Sequence, residues 1–206
     1  LAIALNRPLP GRSVLRTVFF LPSVLSGVAV AMLWQWVFNA EYGLINIVLR
    51  AVHLPAPPWL ASEHWALPAL IVMSLWGVGG MVIIYLAGLQ NIPNQLYESA
   101  WIDGAGPIRA FFAITLPMLS PVLFFTLIVG TIGAFQVFTQ AYIMTGGGPN
   151  QATYFYALHL YHEAFEFLHM GYASAMAWVP FVIVFALTAL QLYLSRHWVH
   201  YEDPGK

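Results

Sequence analysis

SPVLFFTLIVGTIGAFQVFTQAYIM, residues 120–144, runs from end to end without an acidic or basic side chain. A stretch of about 20 apolar residues is what a helix needs to cross a bilayer. The same reading extends outward. No Asp, Glu, Lys or Arg lies between Arg16 and Glu41, between Glu63 and Glu98, between Arg109 and Glu163, or between Glu166 and Arg196. The third of these gaps is too long for one crossing, and TGGGPN at 145–150 interrupts it, because glycine and proline end helices. Four spans are therefore expected: 17–38, 66–89, 120–144 and 172–194.

Composition agrees. Apolar residues make up 60% of the 206-residue chain and charged ones 7%. Mean hydropathy is +0.75. A soluble domain has about a quarter of its residues charged, so this chain cannot coat a water-facing surface. Outer-membrane strands are excluded, since the runs are continuous and do not alternate over about ten residues. The formal charge of −1 points to no nucleic-acid partner. With no cysteine there is no thiol or disulfide chemistry. The fold class is all-α, a polytopic transmembrane bundle, with residues 1–206 forming a single membrane domain. The opening LAIAL has no basic region or cleavage site around it, unlike a signal peptide, and reads as the tail of an earlier apolar segment.

Orientation follows from the basic residues. Arg7, Arg12, Arg16, Arg109, Arg196 and Lys206 share one side of a four-span layout, and Arg50 alone falls on the other. The positive-inside rule makes the first side cytoplasmic. Trp34, Trp36, Trp65, Tyr142 and Trp198 lie near the span ends, as an aromatic belt requires. Ser23, Gly27 and Ala31 recur every four residues, and Gly130/Ala134 and Gly171/Ala175 repeat the spacing. Small residues on one face let helices approach closely in lipid.

The cytoplasmic segment 90–120 is long and poor in charge, holding only Glu98, Asp103 and Arg109. It reads as two helices with a bend. Asn94 is expected as an N-cap, Gly104 as a left-handed helix end, and Pro107 in the first turn of a second helix. Leu96, Ala100 and Asp103 share a face, with Ser99 beside Ala100. A membrane-surface helix would favour Lys and Arg on its polar side, and residues 90–108 contain none. The segment is therefore expected to dock on another protein.

The stretch ESAWIDGAGPIRAFFAITLP, residues 98–117, resembles the EAA motif of binding-protein-dependent ABC importer permeases. Glu98, Ala100, Asp103, Gly104, Ala105, Phe111, Ile114, Leu116 and Pro117 match it, and Ser99 replaces an Ala. YGLIN from Tyr42, TGGGP from Thr145 and GYASAM from Gly171 resemble the carbohydrate branch, whose members import maltose-type oligosaccharides, other sugars or glycerol phosphate. The resemblance implies a MetI-like permease in a bacterial or archaeal inner membrane. It implies that Glu98, Ser99, Ala100, Asp103, Gly104, Ala105 and Pro117 couple the chain to separate ABC ATPase subunits. It also implies a second homologous permease subunit and an extracytoplasmic solute-binding protein. Relatives typically have six spans, so the first and most of the second would be missing here. No G-x-x-x-x-G-K-[ST] phosphate loop occurs. ATP hydrolysis is therefore expected in a partner subunit, and neither an enzyme activity nor a cofactor is expected in this chain.

The four spans carry no charge, which suits a neutral, hydroxyl-rich solute better than a proton-coupled carrier or channel. Phe135, Gln136, Phe138, Thr139 and Gln140 are the candidate lining residues. Amides bond sugar hydroxyls and aromatic faces cover sugar C–H surfaces. Gln136 and Gln140 are expected to share a helix face, and Gln35 and Ser74 are further candidates. Residues 154–168 read as a short interfacial helix. Their His-x-x-His-Glu spacing is not that of a zinc hydrolase, and no metal is expected.

Overall fold

The computed structural model describes residues 1–6 and 10–200. Arg7 and Lys206, two of the residues that set the orientation, lie outside them. In chain order the helices are α1 (Ala2–Asn6), α2 (Arg12–Val24), α3 (Gly27–Val37), α4 (Leu44–Ala51), α5 (Glu63–Trp76), α6 (Gly79–Gln90), α7 (Asn94–Ile102) and α8 (Pro107–Ala110). A π-helix at Phe111–Thr115 follows, then α9 (Leu116–Met118), α10 (Ser120–Phe135), α11 (Thr139–Met144) and α12 (Tyr156–Tyr161). A second π-helix at His162–Glu166 precedes α13 (Met170–Ser195). No strand occurs among the described residues.

All four apolar stretches are helical, but not as four straight rods. Ser120–Met144 and Met170–Ser195 are each long and apolar enough to cross a membrane. The first two expected spans become helix pairs, Arg12–Val24 with Gly27–Val37 and Glu63–Trp76 with Gly79–Gln90, and each pair meets the test only when counted as one span. The expected continuity of 17–38 and 66–89 is thus corrected. One close contact sits beside the second break. Gly79 lies against the backbone of Phe19, where an added Cβ would overlap the Phe19 carbonyl. Only glycine permits so close an approach.

The chain divides into two compact units. The first comprises Leu1–Phe20, Gly79–Ile132 and Val184–Lys206. Its core is the cluster Leu89, Ile92 and Leu119, flanked by Tyr97, Ile114 and Met118. Polar side chains bond across its helices: Tyr85 to Thr126, and the Gln191 amide donating to Thr131 Oγ1 at 2.8 Å. Such bonds replace the water that lipid excludes.

The second unit comprises Leu21–Val78 and Gly133–Ile183. Its core joins Ala31, Phe38, Ala69, Leu70, Met73 and Met144. The small-residue spacing near its start acts as expected at two positions. Ala31 is wholly buried, and Gly27 faces the Thr139 methyl of α11. Gly130 and Gly171 differ, for among the described residues no other element lies within 4 Å of where their Cβ would be.

Candidate functional site

α7 begins at Asn94, with Pro93 in extended conformation before it, and no side chain caps it. The expected Asn94 N-cap is therefore corrected: Asn94 is the first helical residue. Its other end follows the glycine argument. Asp103 caps the helix, and Gly104 takes φ +75°. The Ala105 N–H donates to the Ala100 carbonyl at 2.8 Å, and the Gly104 N–H to the Trp101 carbonyl at 3.0 Å. These two bonds form a Schellman motif, which satisfies carbonyls that the helix end leaves free. An added Cβ at Gly104 would meet nothing within 4 Å. The glycine is thus required by its dihedral angle and not by space. Gly106 is extended, Pro107 opens α8 in its first turn, and the chain enters the π-helix at Phe111.

Glu98, Ser99, Asp103 and Gly104 are exposed, while Ala100, Ala105 and Pro117 are half-buried. No ion pair among the described residues involves Glu98 or Asp103. Charge is therefore presented and left unpaired beside bare apolar surface. Trp101 is 64% exposed, Ile102 87%, Ile108 75% and Phe112 63%. Sequence reasoning passed over these four. Their identity carries no signal, since Trp, Ile and Phe are common throughout this chain; only their exposure sets them apart.

The candidate lining residues separate. α10 ends at Phe135, α11 begins at Thr139, and Gln136–Phe138 are not helical. The expected shared face of Gln136 and Gln140 presumed a continuous helix and is corrected. Gln140 lines a cavity of about 200 Å³ in the second unit, with Ser74, Met73, Val137 and Phe155 among its walls. Gln136 is exposed and lies apart from it. Phe138 stacks on Tyr142 at 5.3 Å between ring centres and tilts against Tyr161 at 5.1 Å. Thr139 rests over Gly27, and Phe135 is half-buried at the helix end. In a hydrocarbon environment, non-helical backbone is tolerated only inside protein or beside a wet cavity.

The segments 39–64 and 145–170 satisfy their own polar groups. Asn46 is wholly buried. Its amide donates to the carbonyls of Ala40 and Pro57, at 3.0 and 3.1 Å, and its oxygen accepts from the Trp59 indole N–H at 2.8 Å. The Arg50 guanidinium donates to the carbonyls of Glu41 and Ala40, at 2.9 and 2.8 Å. Thr153, also wholly buried, bonds Thr145 and donates to the Gly148 carbonyl. The expected helix over 154–168 starts only at Tyr156 and widens into a π-helix at His162. Tyr154 lies before the helix, and its hydroxyl contacts Nδ1 of both His159 and His162, at 3.2 and 3.0 Å. Burial, then Glu163 and Glu166, raises the Tyr154 pKa above its usual 10.0. The phenol keeps its proton and can donate to one histidine; the other histidine donates to it.

Residues 1–200 match the family model described as binding-protein-dependent transport system inner membrane component. The probable ABC transporter permease protein YesP of Bacillus subtilis is 45% identical across 98% of this chain and 67% of its own length. The sulfoquinovosyl glycerol transport system permease SmoG of Agrobacterium fabrum is 39% identical across 95% of this chain and 64% of its own. The trehalose/maltose transport system permease MalF of Thermococcus litoralis is 38% identical, with shares of 95% and 66%. The chain thus spans about two thirds of the length of these relatives. A bacterial alginate ABC transporter, crystallised with a periplasmic protein carrying an alginate pentasaccharide, superimposes with a TM-score of 0.86 at 24% identity. That match covers 95% of this chain and 69% of the other. It shows the same fold.

Proposed function

The chain belongs to the binding-protein-dependent transport system inner membrane components, and from that premise we propose that it is a membrane-spanning permease of an ABC importer for a sugar or sugar-like solute. Residues 1–206 act as one permease domain in a bacterial or archaeal cell membrane. The solute moves inward by alternating access, and the work comes from ATPase subunits in which all nucleotide chemistry resides. A second homologous permease and an extracytoplasmic solute-binding protein complete the assembly.

The observation that carries this reading is α7. It is a short helix with a fixed bend, unpaired carboxylates and bare Trp101 and Ile102. A partner groove with basic edges would bury the apolar side chains and neutralise Glu98 and Asp103. Glu98, Ser99, Ala100, Asp103, Gly104 and Ala105 form that docking element, and Pro117 starts the climb back toward the membrane. The sugar assignment is supported by the names of the relatives, which transport sulfoquinovosyl glycerol and trehalose or maltose. Gln140 and Ser74, facing one cavity, could bond hydroxyls there. The non-helical turn at Gln136–Phe138 adds backbone carbonyls, which accept bonds from hydroxyl donors. Phe135, Phe138 and Thr139 complete the proposed path.

Vesicles test the proposal. Maltose uptake should require the partner permease, the ATPase, the binding protein and ATP together. Accumulation of solute by this chain alone without nucleotide would defeat it.

A further inference from the structure

We propose that the bond between the Tyr97 and Thr115 hydroxyls is the strut that makes α7 and the base of α10 move as one body, so that both are positioning residues for coupling. The inference rests on the reading of α7 as an ATPase-docking helix.

The attachment of α7 to the rest of its unit is sparse. No residue of the helix is buried; Tyr97 and Ala100 are half-buried, and Leu96 is 38% exposed. Ala100 has no atoms beyond Cβ with which to reach another element. Tyr97 does reach. Its ring packs against the Leu89, Ile92 and Leu119 cluster beside Ile114 and Met118. Its hydroxyl lies 2.9 Å from Thr115 Oγ1.

Thr115 is 7% exposed and closes the π-helix. Its carbonyl accepts from the Leu119 N–H at 3.0 Å, one turn before α10. A helical threonine commonly bonds a carbonyl on the preceding turn. Thr126 and Thr145 of this chain do so, with Val122 and Ala141. The Thr115 hydroxyl instead meets another element. Apolar packing has no preferred direction and tolerates sliding. A buried O–H···O bond has a narrow length and angle, so it fixes register. Glu98 and Ile102 lie about 100–140° around α7 from Tyr97, while Trp101, one turn on from Tyr97, is exposed beyond the strut on its own side. Glu98, Trp101 and Ile102 are exposed, whereas Tyr97 turns inward. A push on the exposed residues reaches α10 through Tyr97.

Because the chain has no cysteine, labels can be placed without background. Spin labels on Gln95→Cys in α7 and Leu127→Cys in α10 would be read in the complete importer, with ATP and with ATP plus vanadate. Both hydroxyls present should give one narrow distance in each state. Tyr97→Phe and Thr115→Val should each broaden it, and each should cut binding-protein-stimulated ATP hydrolysis about five-fold, the loss expected for one hydrogen bond. The double variant should be no worse than either single one, and Thr115→Ser should restore both readouts. A narrow distance and full stimulation in Tyr97→Phe, or losses that simply add, would overturn the strut. If the unsubstituted chain fails to retain the ATPase at all, the docking reading fails first and takes the strut with it.

Discussion

The loop at 90–120 and the loops at 39–64 and 145–170 solve opposite problems. In the latter pair polar groups are spent internally. Asn46 makes three bonds and Arg50 two, and Thr153 ties its loop to Thr145 and Gly148. Their polar frame is closed within the chain, although Leu54, Phe165 and Leu168 still stand exposed. In the former, carboxylates and large apolar side chains stand free, and the backbone cap at Gly104 supplies the order. A surface left incomplete in this way is one meant to be completed by something else.

That contrast can be broken by substitution, and the largest effect belongs to the closed frame. Asn46→Ala would leave the Trp59 indole N–H without its acceptor, while the Ala40 carbonyl keeps Arg50 and the Pro57 carbonyl keeps the Trp59 backbone N–H. At about 1–3 kcal/mol for a buried group left without a partner, with the packing of a wholly buried side chain lost as well, a loss of roughly 2–3 kcal/mol is expected. Thermal unfolding of the detergent-purified chain checks it. Next comes Gly104→Leu, which forces a side chain into the left-handed region at about 1–2 kcal/mol. Insertion and folding should survive, but ATP-driven uptake should be abolished as the bend relaxes; normal uptake would count against docking. Arg50→Ala should cost less than about 1 kcal/mol, since its two bonds are solvent-exposed. Faster hydrogen exchange confined to residues 39–50 would register it. The smallest stability effect is expected from Glu98→Gln, within about 0.5 kcal/mol, because Glu98 forms no ion pair among the described residues. Its effect should instead appear as reduced retention of the ATPase during purification. Equal retention would remove Glu98 from the docking surface.

How far the sequence disclosed this structure depends on the range of the forces involved. Apolar runs are local sums, so all four helical stretches were legible. Gly104 and Pro107 were legible because a left-handed angle and a missing N–H are properties of single residues. The gap at Gln136–Phe138 was not, since nothing in Gln-Val-Phe forbids a helix. There Phe138 packs among Tyr142 and Tyr161, and tertiary contacts override local preference. The close approach at Gly79 involves Phe19, sixty positions earlier. Asn46 was visible only as part of YGLIN, because its partners lie six to thirteen residues away and follow no period. Among the site residues, carboxylates in an oily chain stood out by rarity. Trp101 and Ile102 did not, because their exposure, not their identity, is what is unusual.

The π-helix at Phe111–Thr115 makes this region unusually tolerant of losing one residue. Its rings close over five residues where an ordinary helix uses four, so it houses one residue in excess. Excising a single codon there would let the backbone revert to regular winding with its ladder intact, its oiliness unaltered and its flanks close to their former bearing. The same excision inside the regular winding of α10 would instead turn one end against the other by about 100°. A frame-preserving deletion should therefore be survived in the π-helix and silence the protein in α10.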